Sequence, residues 1–432
     1  MPNVGDLNLV CGYCTNVHPG RTLAQVQQQL DEHAVAVQRQ HRPARPLPVG
    51  LWFAADVVDE LGQAGAIEAF GQWLAERKLR PYTLNGFPFG NFHQPVVKHT
   101  VYEPDWTTDA RLDYTSRLAE LLAKLIGEGD QGSISTLPIG WPAGGHRAGG
   151  HRAGGPGPGA EGADWGAEPS AGHVARLDAA AGRLRTLAEQ LRQLEDRTGR
   201  CIHVNLEPEP GCLLDTAGDV VRFFEEHLLL RSRAEPTLRR YLGVCHDVCH
   251  AAVMFEPQAQ AIKRYRSAGI RVGKVQVSSA VVAPFDQLDG PQARAALAQL
   301  QRFDEPRYLH QTTVRSADGA AAMYDDLPLA LAALGDDRPQ QAWRVHFHVP
   351  IYVEGFDALQ TSQPDIARCL AVIAAISADD DAHATRHVEV ETYAWPVLPA
   401  ELRTPTLAQG IARELAWLVD LPLDPDATGE TR

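Results

Sequence analysis

The sequence predicts a (β/α)8 barrel. Eight short apolar runs with strand character alternate with helical segments along the chain. Carboxylates and imidazoles recur where the fifth, sixth and eighth runs end, at Glu207, at Asp247 with His250, and at Glu391. Chemistry in such barrels sits at the C-terminal ends of the strands. A doubly wound sheet is the alternative, but the GxGxxG turn that usually follows its first strand is absent.

The first strand runs from Leu7 to Thr15 and ends in the polar loop Asn16, Val17, His18, Pro19, Gly20. Leu23, Val26, Leu30, Ala34 and Val37 recur at helical spacing, so 22–40 is a helix. VGLWFAA (49–55) is the second strand, followed by a helical region to about residue 78. PYTLNGF (81–87) is the third and runs into the loop FPFGNFH. Residues 107–126 form an amphipathic helix with Leu118, Leu121, Leu122 and Leu125 on one face. GSISTLPIG (132–140) is the fourth strand. Residues 143–163 contain HRAGG twice and then GPGPGAEG, a flexible insertion too rich in Gly and Pro to pack. Its His146 and His151 read as solvated loop residues rather than ligands.

A long helix at 172–198 precedes the fifth strand, CIHVNLEPEPG (201–211), and a helix at 215–230 follows. YLGVCHDVCH (241–250) is the sixth strand and IRVGKVQVSSA (270–280) the seventh, with helices at 256–268 and 290–301. The alternation is then interrupted. YLHQTTVR (308–315) and WRVHFHVPIYVE (343–354) read as strands around a turn and a short helix, a hairpin-like excursion over 305–358. Helix 364–377 returns to the outer layer, RHVEVETYAW (386–395) is the eighth strand, and 406–418 is the closing helix. The expected organisation is one barrel domain over 1–432.

The 432 residues, 44% of them hydrophobic, suit a globular enzyme. No apolar run is long enough to span a membrane, and no signal peptide is visible. A net charge of −14 argues against a nucleic-acid partner, which needs clustered Lys and Arg, a local basic groove aside. Seven cysteines, an odd number in a long chain, suggest free thiols in a reducing cytoplasm. Cys11 and Cys14 have CxxC spacing without a second pair, and read as small core residues.

The polar groups at the strand ends carry the functional reading. Carboxylates inside a barrel are costly unless paired or bound to a metal. Mixed carboxylate and imidazole ligands suit Mn²⁺, Zn²⁺, Fe²⁺ or Co²⁺, and Mg²⁺ joins them as a candidate. Glu207 and Glu209 end the fifth strand, and Glu389 and Glu391 lie on the eighth. Glu209 is either a ligand or a solvated loop carboxylate. Gln276, on the seventh strand, either joins the ligand set or bonds backbone in the core. His346 and His348 alternate with Val345, Phe347 and Val349, so one strand face is polar, for ligation or for water. His310 and His93 complete the candidates for substrate or second-metal contact.

The order of Glu207, Asp247 with His250, Gln276, and Glu391-Thr392 resembles the xylose-isomerase-like TIM barrels. These include sugar (phosphate) isomerases and epimerases and the endonuclease IV family. Gln276 departs from the usual histidine at its position. YCTNVHPG (13–20), LNGFPFGNFH (84–93), GSISTLPIGW (132–141), NLEPEPG (205–211), YLHQ (308–311), HFHVPIYVEG (346–355) and VEVETYAW (388–395) resemble the EboE-type metabolite-traffic proteins of bacterial gene clusters linked to secondary metabolites. The resemblance implies a metal-dependent barrel, with Glu207, Asp247, Gln276 and Glu391 as ligands. His250 would touch substrate or a second metal. Residues 346–348 read His-Phe-His where endonuclease IV has Asp-x-His.

The implied activity is isomerisation or epimerisation of a small metabolite, a polyol or sugar derivative, with Glu207 and Glu391 moving the proton. A multi-metal phosphodiesterase of the endonuclease IV kind is one alternative. A non-catalytic carrier passing a metabolite to proteins of the same gene cluster is the other. Deleting 143–163 is expected to leave the melting temperature nearly unchanged; a large drop would show that the segment packs.

Overall fold

The computed structural model describes residues 2–142, 171–230, 233–334, 339–379 and 385–424. The insertion expected at 143–163 lies outside the described residues. In chain order the strands are β1 (Val10–Cys14), β2 (Leu47–Trp52), β3 (Leu79–Asn85), β4 (Gln131–Thr136), β5 (Cys201–Leu206), β6 (Leu242–Asp247) and β7 (Val272–Val277). Then come β8 (Val281–Pro284), β9 (Thr312–Arg315), β10 (Ala321–Tyr324), β11 (Ala342–Val345), β12 (Gly355–Phe356), β13 (Leu359–Thr361) and β14 (His387–Val390).

Eight of these close a parallel barrel in the order β1-β14-β7-β6-β5-β4-β3-β2. The (β/α)8 expectation holds, with β14 as the eighth barrel strand. Alternation decides what each strand presents. Val275 and Val277 of β7 are buried without exposure, and the residues between and before them are Lys274 and Gln276. Successive side chains of a strand point to opposite faces, so one face of β7 is apolar against the helices and the other is polar inside the barrel. Contacts across the lumen follow this rule. His387 Nδ1 lies 2.7 Å from Ser133 Oγ, and Lys274 Nζ donates to Ser135 Oγ at 3.4 Å.

The barrel's middle layer holds an ion pair. Lys274 Nζ and Glu389 Oε2 are 2.5 Å apart, both side chains with 0% exposure. Burial alone would lower the Lys274 ammonium, but Glu389 beside it holds it above the usual lysine range. Gly50 makes room for the pair.

The outer helices largely follow the sequence periodicity. Asp109–Leu125 and Ala171–Thr198 occupy the expected stretches. The expected helix at 22–40 is continuous from Leu23 to His41, with a wider π-helical turn over Leu30–Ala34. Among the described residues no helix is long and apolar enough to cross a membrane.

The excursion after the seventh barrel strand is larger than a hairpin. It is a six-stranded sheet in the order β10-β9-β11-β8-β13-β12, antiparallel at every pairing, spanning Val281 to Thr361. The strand expected over 343–354 stops at Val345. Beyond it the chain leaves the ladder: His346 N bonds Gln311 O at 2.8 Å and Val349 N bonds Ser279 O at 3.0 Å. That turn carries His346 and His348 over the barrel mouth.

A Cβ on Gly50 would lie 1.3 Å from Glu389 Oε1 and 2.9 Å from Thr83 Cγ2. Gly50→Ala is therefore expected to destabilise the fold by about 1–3 kcal/mol through overpacking, read as a lowered urea midpoint. An unchanged midpoint would show that Glu389 can move aside.

Candidate functional site

Asp247 ends β6 and caps the helix Val248–Val253. Its Oδ1 accepts from His250 N at 2.9 Å and from Ser278 Oγ at 2.7 Å. A capping carboxylate of this kind satisfies a free helix N–H. The Asp-x-x-His spacing thus has a local cause: one residue caps the helix and the other stands one turn along, beside it. Asp247 Oδ2 is left buried with no hydrogen-bond partner.

Two imidazoles aim at that oxygen. His250 Nδ1 faces Pro208 O at 2.9 Å, and His348 Nδ1 faces Glu391 O at 2.6 Å. A carbonyl only accepts, so each Nδ1 carries the proton and each Nε2 presents a lone pair. Both Nε2 atoms lie 3.9 Å from Asp247 Oδ2, too far for a hydrogen bond. His346 has the same polarity. Its Nδ1 is 2.7 Å from Gln311 Oε1, while Gln311 Nε2 donates to Glu209, Tyr102 and Pro210.

The carboxylates converge. Ligand atoms of Glu207, Asp247 and Glu391 lie within 4.8 Å of one another. So do those of Asp247, His250 and His348, those of Glu209, His250 and His346, and those of Cys249, His346 and His348. Glu391 Oε1 accepts from Asn16 Nδ2 at 2.7 Å and Asn85 Nδ2 at 2.8 Å. Glu207 Oε2, His348 Nε2 and both polar atoms of Gln276 are buried without a hydrogen-bond partner. Gln276 stands level with Asp247 on β6 and Glu389 on β14. Buried polar atoms left unpaired are costly; oxygens and neutral imidazole nitrogens grouped this way fit a divalent cation.

The electrostatics agree with crowded carboxylates. Burial, then Glu391 and Asp247, push the Glu207 carboxyl well above its ordinary range. Burial, then Asp247 and Glu389, push Glu391 up to about 8. Burial also acts to raise Asp247, but His250, His348 and its hydrogen bonds outweigh it and hold the carboxyl low. Burial keeps His346 well below the usual imidazole range and His348 down to about 4. Both imidazoles are then neutral at pH 7, the state in which an imidazole can ligate a metal.

A cavity opens above this floor. Asn16, Asn85, Glu207, Glu209, His250, His346, His348 and Glu391 line its polar side. Phe87, Phe92, Tyr102, Tyr308 and Tyr393 wall it. Its volume is about 60 Å³, several times the roughly 10–15 Å³ that one water needs, so it admits a small molecule. Asp247 and Gln276 do not line this space, nor do residues 136–141 and 276–279 at the ends of β4 and β7.

Two of the sequence-predicted histidines are elsewhere. His310 faces the His346 carbonyl at 3.0 Å and Glu305 Oε1 at 2.9 Å, so both of its nitrogens are engaged beneath the loop. His93 Nε2 bonds Asn16 O at 2.7 Å, and His93 does not line the cavity. Both brace residues that reach the site. Cys11 and Cys14 are free and buried, as core residues should be.

Sequence reasoning did not single out Asn16, Asn85 or Glu414. Glu414 lies on the helix Leu407–Asp420 among the buried positions Ala408, Ile411, Leu415 and Leu418. It accepts from Thr392 Oγ1 at 2.6 Å, Trp395 Nε1 at 3.2 Å and Ile351 N at 3.2 Å. One carboxylate so ties the segment after Glu391 to the segment after His348. A glutamate on the apolar stripe of an amphipathic helix is the sequence signal that could have found it.

No protein-family model matches this chain, and no curated protein matches it. Solved structures similar to it include a xylose isomerase-like TIM barrel protein from Mycobacterium smegmatis in complex with magnesium. It is 11% identical, with 95% of each chain covered and a TM-score of 0.43. The IOLI protein with a bound zinc atom is 10% identical, with 95% of this chain and 98% of that one covered and a TM-score of 0.41. The 3-keto-D-glucoside 4-epimerase YcjR from E. coli is 16% identical, with 69% of this chain and 90% of that one covered and a TM-score of 0.37. Likeness at this level says nothing of activity; the barrel assignment rests on the closed strand order.

Burial pushes the Glu414 carboxyl from about 4.5 up to about 7. A raised folded-state pKa adds stability that is full below the unfolded value and lost as pH rises through the folded one. Glu414→Gln is expected to flatten the fall in stability between pH 5 and pH 8 by up to about 3 kcal/mol, measured by urea unfolding of both proteins. Equal slopes would show that Glu414 does not titrate there.

Proposed function

We propose that the chain is a metal-dependent isomerase or epimerase acting on a small polyhydroxylated or carbonyl metabolite. The observation that carries this reading is the convergence of Glu207, Asp247 and Glu391, with Asp247 Oδ2 and Glu207 Oε2 unpartnered beneath the cavity. Glu207, Asp247, Gln276 and Glu391 would hold one divalent ion, Mn²⁺, Zn²⁺, Mg²⁺, Fe²⁺ or Co²⁺. When bound, such an ion polarises a substrate carbonyl.

The chain's own residues do the rest. Glu207 and Glu391 both line the cavity, where a carboxylate oxygen can accept a proton from a bound substrate and return it. One takes the proton from the carbon beside the carbonyl; in isomerisation it returns that proton to the carbonyl carbon while the hydroxyl proton passes to the former carbonyl oxygen, and in epimerisation the other, as a carboxylic acid, delivers its own proton to the opposite face. Asn16 and Asn85 fix the Glu391 carboxylate, and His250 orients a substrate hydroxyl. Phe92, Tyr308 and Tyr393 exclude water. The resemblance to EboE-type proteins supports a place in the production or traffic of a bacterial secondary metabolite, alongside proteins of the same gene cluster.

A hydrolase of the endonuclease IV kind is the second reading. The groups that include His250, His346 and His348 favour it, because they offer ligands beyond one ion. Three crowded carboxylates stay ionised only with a cation beside them, and binding to the folded state adds stability. Chelator is expected to lower the melting temperature, and Mn²⁺ or Zn²⁺ to restore it. Asp247→Asn keeps an oxygen for His250 N and Ser278 but should blunt both responses. His346→Ala should leave the metal content of a one-ion isomerase intact and reduce that of a multi-ion hydrolase. Wild-type protein that binds no metal and ignores chelator would exclude both and leave the carrier reading.

A further inference from the structure

We propose that the cavity selects an uncharged substrate, with adjacent oxygen atoms at one end and an apolar ring or ring face at the other, and rejects phosphorylated and carboxylated metabolites. This rests on the reading of the site just given and adds the substrate class. Two independent features carry it, the balance of charge and the chemistry of the wall.

Among the described residues, the lining includes Glu207, Glu209 and Glu391 and a single lysine or arginine side chain, Lys98. Lys98 is already committed. Its ammonium pairs with Asp326, whose other carboxylate oxygen accepts from the backbone N–H groups of His310 and Leu327, each at 3.1 Å. Arg307 sits 5.9 Å from the Tyr308 ring and does not line the cavity. The helix N-terminus at the floor is also taken. Asp247 accepts its His250 N–H, and Ser278 Oγ accepts its Cys249 N–H at 2.9 Å. A phosphate or carboxylate is recognised by cationic forks or by free N–H groups at a helix start; neither is offered among the described residues lining this space. A divalent ion facing Glu207, Asp247 and Glu391 still leaves the floor negative, so a second anion above it meets repulsion.

The wall is aromatic. Phe92, Tyr308 and Tyr393 form a cluster with ring centroids 5.0–5.4 Å apart. Phe87 and Tyr102 form a pair at 5.9 Å. Aromatic faces bury apolar surface and rings. The oxygens of a ligand are therefore met at the floor, and its carbon skeleton at the wall.

The test uses the full chain loaded with Mn²⁺, dialysed free of excess metal and titrated calorimetrically with glucose, phenyl glucoside and glucose 6-phosphate. Phenyl glucoside is expected to bind at least tenfold more tightly than glucose, and glucose 6-phosphate at least tenfold more weakly. Phe92→Ala should leave Mn²⁺ affinity unchanged and bring phenyl glucoside back to the level of glucose. Glucose 6-phosphate binding as tightly as glucose overturns the proposal, as does failure of phenyl glucoside to bind a protein that takes up Mn²⁺. If the dialysed protein retains no Mn²⁺, the metal reading falls separately. The same ranking on the metal-free protein then decides the question of substrate charge.

Discussion

Lys274 and Glu389 lie side by side in the middle of the barrel, 2.5 Å apart and closed to solvent. Taking two charges out of water costs several kcal/mol for each ion, and losing one partner alone costs about 3–5 kcal/mol. The pair is tolerable because each charge answers the other. It also sets the field for the layer above. Lys274 pulls down the carboxyls of Glu207 and Glu391, against burial and against the other acids. Lys274 thus opposes the repulsion among the converging carboxylates, together with the hydrogen bonds that Asn16 and Asn85 give Glu391 and that Ser278 gives Asp247. Gly50 belongs to the same arrangement, because any side chain there would occupy the position of the Glu389 carboxylate.

Much of this was legible in the sequence because strand periodicity and strand ends are local properties. An apolar run closing in Glu207, Asp247 or Glu391 announces both a barrel strand and a polar group at its mouth. What was not legible depends on chain-distant partners. Asn16 and Asn85 reach Glu391 from separations of 375 and 306 residues, and nothing local marks them as its donors. His310 and His93 looked like ligands because they are histidines near motifs. In the fold their nitrogens meet backbone carbonyls of His346 and Asn16. The added sheet was read as a hairpin because its strands are only two to four residues long, too short for alternation to declare itself.

The imidazoles show how backbone geometry prepares a site. His250 and His348 are held through Nδ1 by carbonyls of Pro208 and Glu391. These carbonyls belong to the loops that also carry Glu207, Glu209 and Glu391, so a shift of either loop moves a carboxylate and an imidazole together. Glu414 adds a second tie, from the outer helix to the segments after Glu391 and His348. Order among these side chains is thereby coupled to packing of the outer layer.

The barrel and the added sheet contribute different things to the cavity. Glu207 and Glu391 come from the ends of barrel strands, whereas Tyr308, Leu309, His346 and His348 come from the segment inserted between β7 and β14. That segment enters and leaves the barrel at one seam, between two neighbouring strands. The acid floor and the histidine-bearing roof are thus encoded in separable stretches of chain, joined by an aromatic wall to which both contribute. A lineage could exchange the roof of this cavity, and with it the molecules admitted, while the acid floor beneath stayed as it was.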